Sequence, residues 1–284
     1  MKTGAIGVFD SGVGGLSVLH HIRQTLPYER LIYVADSGHV PYGDKPIHYI
    51  EQRSLALTRF LISQGCDAIV IACNTATAAA AATLRQNFNC PIIGMEPAVK
   101  PAVTASKTGV VGVLATVGTL ESARFAALLE RYAGDVEILT QGCPGLVEQV
   151  ESGDLTGVLT RKLIERYTAP LLARNADTLI LGCTHYPYLA PLIREVVGDA
   201  ITLIDTGAAV ARHLRSRLIS EVGLKPDLQI SNGGSDFSPT CRVKTRPTGS
   251  AKFFTSGDAQ QAAHIMSALW GSAVEVQRLP LKFA

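Results

Sequence analysis

Short apolar runs alternate with helical patterns along almost the whole chain, and this alternation constrains the fold more than any other feature. Most runs are continuously apolar, which is typical of strands buried on both faces of a parallel sheet. The pattern predicts an α/β fold in which helices cover parallel sheets. The predicted strands span residues 5–9, 31–35, 68–72, 92–95, 110–114, 136–139 and 178–181.

Helical periodicity fills the intervals between these runs. Apolar residues recur at helical spacing from Leu16 to Leu26 and stop before Pro27, and a second helix is predicted over about 47–64. Beyond residue 206 we predict a helix over 208–219, a polar stretch around 233–239 and strands at 252–255 and 274–276. We expect this C-terminal segment to pack back on the first domain.

The chain also contains an internal repeat. KTGAIGV at 2–8 resembles KTGVVGV at 107–113, and DAIVIACNT at 67–75 resembles DTLILGCTH at 177–185. Chance similarity between hydrophobic strands is the alternative, but two matches in the same order favour two related α/β halves. The predicted domains are residues 1–98 together with 206–284, and residues 99–205.

The overall charge is nearly balanced, with 26 basic and 24 acidic residues among 284. We therefore expect no nucleic-acid partner. The longest uncharged run near the middle, at 68–84, is too short and too polar for a bilayer helix. The N-terminal residues do not resemble a signal peptide. The expected location is cytoplasmic, with no membrane partner.

Six cysteines are present, and no two have the CxxC spacing of zinc or iron–sulfur ligands. A cytoplasmic protein keeps its thiols reduced, so we predict neither a metal site nor a disulfide. Cys66, Cys90 and Cys241 are interpreted as small buried hydrophobic residues. Cys73 and Cys183 differ, because each stands at the end of a predicted strand within the repeat.

Ligands of parallel α/β sheets bind beyond the carboxyl ends of the strands, where Cys73 and Cys183 are expected. Residues able to cap a helix follow each thiol, and a helix N-terminus favours the thiolate. If the two halves face each other, the thiols meet across one cleft. Opposed thiols suit racemisation, which removes a proton from one face of a carbon and delivers one to the other. No lysine has the placement that would suggest pyridoxal phosphate as the alternative.

A glycine-rich turn follows the first predicted strand. FDSGVGG at 9–15, followed by Asp36, partly matches a dinucleotide-binding fingerprint. However, Ser17 occupies the third glycine position, and Asp10 at the end of the strand would repel a pyrophosphate. The dinucleotide interpretation is therefore the weaker one, although the glycines would let backbone amides approach an anion at the following helix N-terminus.

Three further features have two interpretations each. The loop at 36–43 is either an ordinary turn or part of a site. Glu151 is either a solvated helix residue or a functional carboxylate. His185 either caps a helix or, as a neighbour of Cys183, sets the protonation of that thiol.

Four motifs together resemble the signature of the glutamate racemases, within the aspartate/glutamate racemase superfamily. They are DSGVGGL at 10–16, PYG at 41–43, ACNT at 72–75 and GCTHYP at 182–187, and the resemblance covers residues 4 to 215. It implies two similar parallel-sheet α/β domains related by a pseudo-twofold axis, with the active site between them. It also implies an isomerase that needs no cofactor or metal.

The resemblance assigns roles to individual residues. Cys73 and Cys183 would be the two catalytic acid–bases, Asp10 would assist Cys73, and Glu151 and His185 would assist Cys183. Asp36 matches a family position whose role is less defined. The implied substrate-binding residues are Asp10, Ser11, Tyr42, Gly43, Asn74, Thr75, Thr116, Thr119, Thr184 and His185.

The implied function is interconversion of L-glutamate and D-glutamate, which supplies D-glutamate for peptidoglycan biosynthesis and so for the cell wall and cell shape. The implied assembly is a homodimer. Two alternatives are open: a related racemase, isomerase or decarboxylase of another small carboxylate, and a ligand- or partner-binding protein that has lost catalysis. The presence of both cysteines argues against the second.

Overall fold

The computed structural model describes residues 4–221 and 249–284, which form ten strands and eleven helices. The strands are β1 Ala5–Asp10, β2 Arg30–Ala35, β3 Cys66–Ile71, β4 Ile92–Ile93, β5 Val110–Ala115, β6 Glu137–Gly142, β7 Thr178–Leu181, β8 Thr202–Ile204, β9 Ala251–Thr255 and β10 Val276–Arg278. The helices are α1 Leu16–Thr25, α2 Ile47–Ser63, α3 Asn74–Asn87, α4 Val99–Ala105, α5 Val117–Leu120, α6 Ala123–Tyr132, α7 Leu146–Glu151, α8 Val158–Leu172, α9 Tyr186–Val197, α10 Gly207–Glu221 and α11 Ala259–Trp270.

The strands form two parallel sheets, as the continuous apolar runs predicted. The first has the order β10-β9-β2-β1-β3-β4, and the second has the order β6-β5-β7-β8. The four strands of the second sheet repeat the order β2-β1-β3-β4 of the first, with β9 and β10 added at the β2 edge. The predicted fold class, two similar parallel-sheet α/β halves, is confirmed.

The main-chain pairing beside the two strand-end cysteines is equivalent in the two sheets. The N–H of Ala72 donates to the carbonyl of Phe9 at 2.8 Å, and the N–H of Gly182 donates to the carbonyl of Leu114, also at 2.8 Å. Each donor immediately precedes a cysteine. The repeat seen in the sequence therefore places Cys73 and Cys183 at corresponding points of the two sheets.

The segment after the repeat adds β9 and β10 to the first sheet, and α10 packs against α1. Strand β8 was missed because it has only three residues and is partly exposed at the sheet edge. The strand predicted at 274–276 was placed too early, since β10 begins at Val276. The predictions for residues 2–3, for 233–239 and for Cys241 lie outside the described residues, and the domain limits stay a prediction. No helix within the described ranges is long and apolar enough to cross a membrane.

The carboxylate of Asp177 closes the turn between α4 and β5. It accepts hydrogen bonds from Ser106 Oγ at 2.7 Å, from the N–H of Lys107 at 2.6 Å and from the N–H of Thr108 at 2.9 Å. Although burial acts in the opposite direction, these donors lower the pKa of Asp177 to about 2. The carboxyl of Asp67, the matching residue of the repeat, lies against Gly4 in the first half.

Replacement of Asp177 by alanine should lower the free energy of unfolding at neutral pH by about 2 kcal/mol, because hydrogen bonds to a charged group are lost. A depressed folded pKa contributes stability above the unfolded value of about 3.9, and this contribution disappears as the pH falls towards the folded value. Urea unfolding should therefore show a difference that shrinks between about pH 4 and pH 2. Asp135→Asn, at an exposed turn, is the control. A difference independent of pH would contradict the assignment.

Candidate active site

A narrow, nearly closed cavity lies where the carboxyl ends of the two sheets meet. Both strand-end cysteines face it, one from each sheet. The cleft predicted between the two halves therefore exists, and it brings most of the predicted site residues together. Its lining consists of Ser11, Pro41, Tyr42, Gly43, Cys73, Asn74, Thr75, Thr116, Val147, Gly182, Cys183, Thr184 and His185.

Cys73 is the N-cap of α3. Its sulfur accepts a hydrogen bond from the N–H of Ala76 at 3.4 Å, and its thiol lies 3.8 Å from Ser11 Oγ. The position at a helix N-terminus was expected to favour the thiolate. In this closed arrangement the opposite holds, because burial first and the neighbouring Asp10 second raise the pKa of Cys73.

Cys183 has different surroundings, although its strand position is equivalent. Helix α9 begins three residues later, at Tyr186, so the sulfur does not cap the helix. Instead, Cys183 Sγ lies 3.6 Å from Nδ1 of His185. Both thiols therefore lie near a helix N-terminus, as expected, but the N-cap of α3 is Cys73 itself, whereas the N-cap position of α9 falls on His185, whose imidazole faces the Cys183 sulfur.

His185 is buried and is held by Glu151. Its Nε2 lies 2.6 Å from Glu151 Oε1, and the same oxygen accepts a hydrogen bond from the N–H of Val13 at 2.6 Å. Burial disfavours a charged ring, but the hydrogen bonds to Cys183 and Glu151 raise the pKa of His185 well above its ordinary value. A protonated His185 donates from both ring nitrogens, one to the carboxylate and one to the sulfur.

The glycine-rich turn after β1 receives these side chains from the second sheet. Any other residue in place of Gly12 would bring its Cβ atom into collision with the Glu151 carboxylate. Any other residue in place of Gly14 would collide with the His185 ring in the same way. The turn is therefore filled by protein side chains at the point where a dinucleotide would need its pyrophosphate. The dinucleotide interpretation is wrong, and Glu151 is not a solvated helix residue.

Asp10, at the end of β1, is fully buried and connects the two halves. Its Oδ2 accepts from the N–H of Gly15 at 2.6 Å and from Thr184 Oγ1 at 3.2 Å, and its Oδ1 accepts from the N–H of Ser11 at 2.7 Å. Burial raises the pKa of Asp10, and nearby Glu151 adds to the shift; the charge of His185 and the two N–H donors oppose it. Asp10 lies behind the cavity wall, within electrostatic reach of Cys73.

Three threonine hydroxyls meet at the cavity wall: Thr75 and Thr116 line the cavity, and Thr119 contacts both without lining it. Thr75 Oγ1 lies 2.9 Å from Thr116 Oγ1 and 3.1 Å from Thr119 Oγ1, and the latter two are 2.9 Å apart. Beside them Asn74 is buried, and neither polar atom of its amide has a hydrogen-bond partner among the described residues. Hydroxyls that can rotate and an unpartnered amide supply the donors that a carboxylate needs.

Tyr42 and Gly43 line the cavity through the loop that follows β2. The Tyr42 hydroxyl donates to Asp36 Oδ2 at 2.5 Å, so Asp36 lies behind the loop and away from the cavity lining. The carbonyl of Gly43 accepts from the N–H of Gly118 at 3.2 Å, which joins the loop to the second half. The loop is thus part of the site, and Asp36 is a support for Tyr42.

The structure adds residues that the sequence analysis did not single out. Val147 lines the cavity one helical turn before Glu151 on α7, a spacing that could have suggested it. Ser17 donates to the carbonyl of Thr184 at 2.9 Å, and Arg53 binds Asp36; neither contact has a sequence signal. Among the described residues, no cluster of three or more His, Cys, Asp or Glu side chains could hold a metal ion.

Comparisons with known proteins agree with this geometry. The family model described as Asp/Glu/Hydantoin racemase matches residues 6–214. The chain is 54% identical over 272 residues to a glutamate racemase of Ectopseudomonas mendocina, covering 95% of this chain and 96% of that one. It superposes on a glutamate racemase isoform from Bacillus anthracis with a TM-score of 0.84, 30% identity and 99% coverage of both chains. It also superposes on Escherichia coli glutamate racemase, solved in complex with L-glutamate and the activator UDP-MurNAc-ala, with a TM-score of 0.79, 31% identity and 97% coverage of both chains.

Replacement of Glu151 by glutamine should lower the pKa of His185, because the carboxylate that stabilises the imidazolium is removed. In the parent protein, ¹⁵N NMR of the ring should show His185 protonated at neutral pH. In the variant, the ring should lose its proton at a lower pH. Glu148→Gln, at an exposed position of the same helix, should leave the titration unchanged. A neutral His185 in the parent at neutral pH would contradict the assignment.

Proposed function

The chain belongs to the glutamate racemases of the Asp/Glu/Hydantoin racemase family, and from this membership we propose that it interconverts L-glutamate and D-glutamate with Cys73 and Cys183 as its two acid–base groups. It is an isomerase. The Escherichia coli relative, solved with L-glutamate, supports glutamate as the substrate. We also propose that the reaction needs no cofactor.

The observation that carries the proposal is the position of the two thiols. Cys73 and Cys183 each follow corresponding strands, β3 and β7, of two sheets that share a four-strand order, and both face one cavity. A carbon held between them would have one sulfur on each face. Racemisation needs this arrangement, because a base removes the α-proton on one side and an acid delivers a proton on the other. Two chemically identical groups can exchange these roles in the reverse reaction.

The groups around each sulfur suit its part in the reaction. A protonated His185, held by Glu151, donates towards Cys183 and stabilises negative charge on that sulfur. Cys73, whose pKa is raised by burial, rests as a thiol that can deliver a proton. We propose that for one enantiomer Cys183 acts as the base and Cys73 as the acid. For the other enantiomer Cys73 must lose its proton, and we propose that Asp10 accepts or relays it.

The polar lining provides for a substrate with two carboxylates and an ammonium group. We propose that Asn74, Thr75, Thr116 and Thr119 hold a carboxylate by the hydroxyl and amide donors described above. Ser11, Thr184 and His185 would hold the groups around the α-carbon, between the sulfurs. The buried Asp10 carboxylate favours a cation nearby, which suits the ammonium group.

The biological setting follows from the family. We propose that the product D-glutamate enters peptidoglycan biosynthesis, and so supports cell-wall formation and cell shape, and that the protein works in the cytoplasm as a homodimer. A related racemase, isomerase or decarboxylase of another small carboxylate is the alternative. Turnover measured with glutamate, aspartate and their α-substituted analogues would separate these activities.

Cys73→Ser and Cys183→Ser should each abolish racemisation, because a hydroxyl is far less acidic than a thiol, whose reference pKa is about 8.5. Each variant retains one base. On a glutamate analogue that carries chloride as a leaving group, one base suffices for elimination of HCl. Offered as separate enantiomers, the analogue should lose chloride from one enantiomer with one variant and from the opposite enantiomer with the other.

Cys90→Ser is the control, because Cys90 lines a different cavity, near the start of β4. It should racemise glutamate at the parent rate. Elimination from the same enantiomer by both cysteine variants would refute the two-sided arrangement. Racemisation by either variant at the parent rate would show that its cysteine takes no part.

A further inference from the structure

Arg53, on α2, is an almost buried cation that none of the proposed chemistry uses. Its side chain is 11% exposed, and it makes two hydrogen bonds to Asp36: Nε to Oδ2 at 2.9 Å and Nη2 to Oδ1 at 2.6 Å. This two-point geometry requires a guanidinium, because a lysine ammonium cannot present two parallel donors. Removing both charges of such an ion pair from water costs free energy, so a buried pair next to the cavity indicates a structural or functional role.

The Asp36 carboxylate is itself fully buried, and it joins Arg53 to the loop that carries Tyr42 and Gly43. The Oδ2 atom that accepts from Arg53 Nε also accepts the hydroxyl of Tyr42 at 2.5 Å. The single hydroxyl hydrogen of Tyr42 is thus donated away from the cavity. The main-chain N–H groups of Tyr42 and Gly43 are then the donors through which this part of the loop can hold a carboxylate.

The other donors of Arg53 hold the C-terminal turn. Nη2 donates to the carbonyl oxygen of Phe283 and Nη1 to a main-chain oxygen of Ala284, both at 3.0 Å. The Phe283 ring packs edge-on against Phe60 of α2, with 5.5 Å between ring centroids. Leu281, two residues earlier on the same turn, is 89% exposed. The packed turn covers the guanidinium and fixes its plane against Asp36.

We propose that Arg53 is a positioning residue for substrate binding: through Asp36 it locks the Tyr42 hydroxyl, and so sets where the main chain of Tyr42 and Gly43 meets a substrate carboxylate. This inference rests on the proposed function. The C-terminal turn contributes because its main-chain oxygens accept hydrogen bonds from Arg53 and keep the guanidinium oriented towards Asp36. Arg53 does not touch the reacting atoms, so its loss changes substrate affinity and leaves proton transfer between the thiols intact.

The test is a double-variant cycle of Arg53→Lys and Tyr42→Phe, with KM and kcat measured for both enantiomers of glutamate. Each single variant should raise KM about tenfold, the factor for losing a hydrogen bond to a charged group, with a much smaller change in kcat. Since both changes break the same chain of contacts, the double variant should have nearly the KM of the Tyr42→Phe single variant. Arg59→Lys, at an exposed position of α2, should match the parent.

A second pair of variants tests the C-terminal turn without changing a charge. Phe283→Ala should raise KM in the same way, and Leu281→Ala should not. If Arg53→Lys raised KM by the same factor in the parent and in the Tyr42→Phe variant, Arg53 would have a general structural role and the proposal would be overturned. A fall in kcat at unchanged KM would also overturn it. A parent protein that does not racemise glutamate would instead contradict the proposed function, before any variant is compared.

Discussion

The hydrogen bonds of the Glu151 carboxylate hold the two halves of the site together. One oxygen binds the N–H of Val13 in the first half and the ring of His185 in the second. The contact is possible only because Gly12 and Gly14 leave room for the carboxylate and the imidazole. It fixes how the carboxyl ends of the two sheets face each other, and therefore where the two thiols lie.

The two sulfurs are equivalent by topology and unequal in surroundings. Cys73 is a helix cap near Asp10, whereas Cys183 lies beside the His185 ring, which the Glu151 carboxylate holds. The proposed racemisation does not need identical surroundings for the two thiols, since it asks each of them only to gain and lose one proton per cycle. The repeat explains why the two sulfurs occupy corresponding positions in the two sheets. The residues that follow the strands differ between the halves, and they explain why the two sulfurs have different neighbours.

Apolar runs, turn residues and the repeat were sufficient to predict both sheets and the position of Cys73 and Cys183, because these depend on local pattern. The roles of Glu151, Asp36 and Arg53 depend on which segments approach in space, and no spacing in the sequence records that. The protonation of Cys73 could not be predicted for the same reason: a helix N-terminus, which favours the thiolate, is visible in sequence, whereas the burial that raises the pKa of this thiol is not. The three-residue β8 was too short to give a pattern.

The central claim, that protons are exchanged by two thiols on opposite faces of the α-carbon, is tested most directly by isotope transfer in the first turnovers. The parent protein, dialysed against a chelator and a carbonyl reagent, is given L-glutamate in D₂O, and both enantiomers are analysed by mass at low conversion. The account predicts that the D-glutamate formed carries deuterium at the α-carbon, while the remaining L-glutamate has little. D-glutamate that keeps the substrate's own hydrogen would contradict it, as would activity that requires added pyridoxal phosphate or metal.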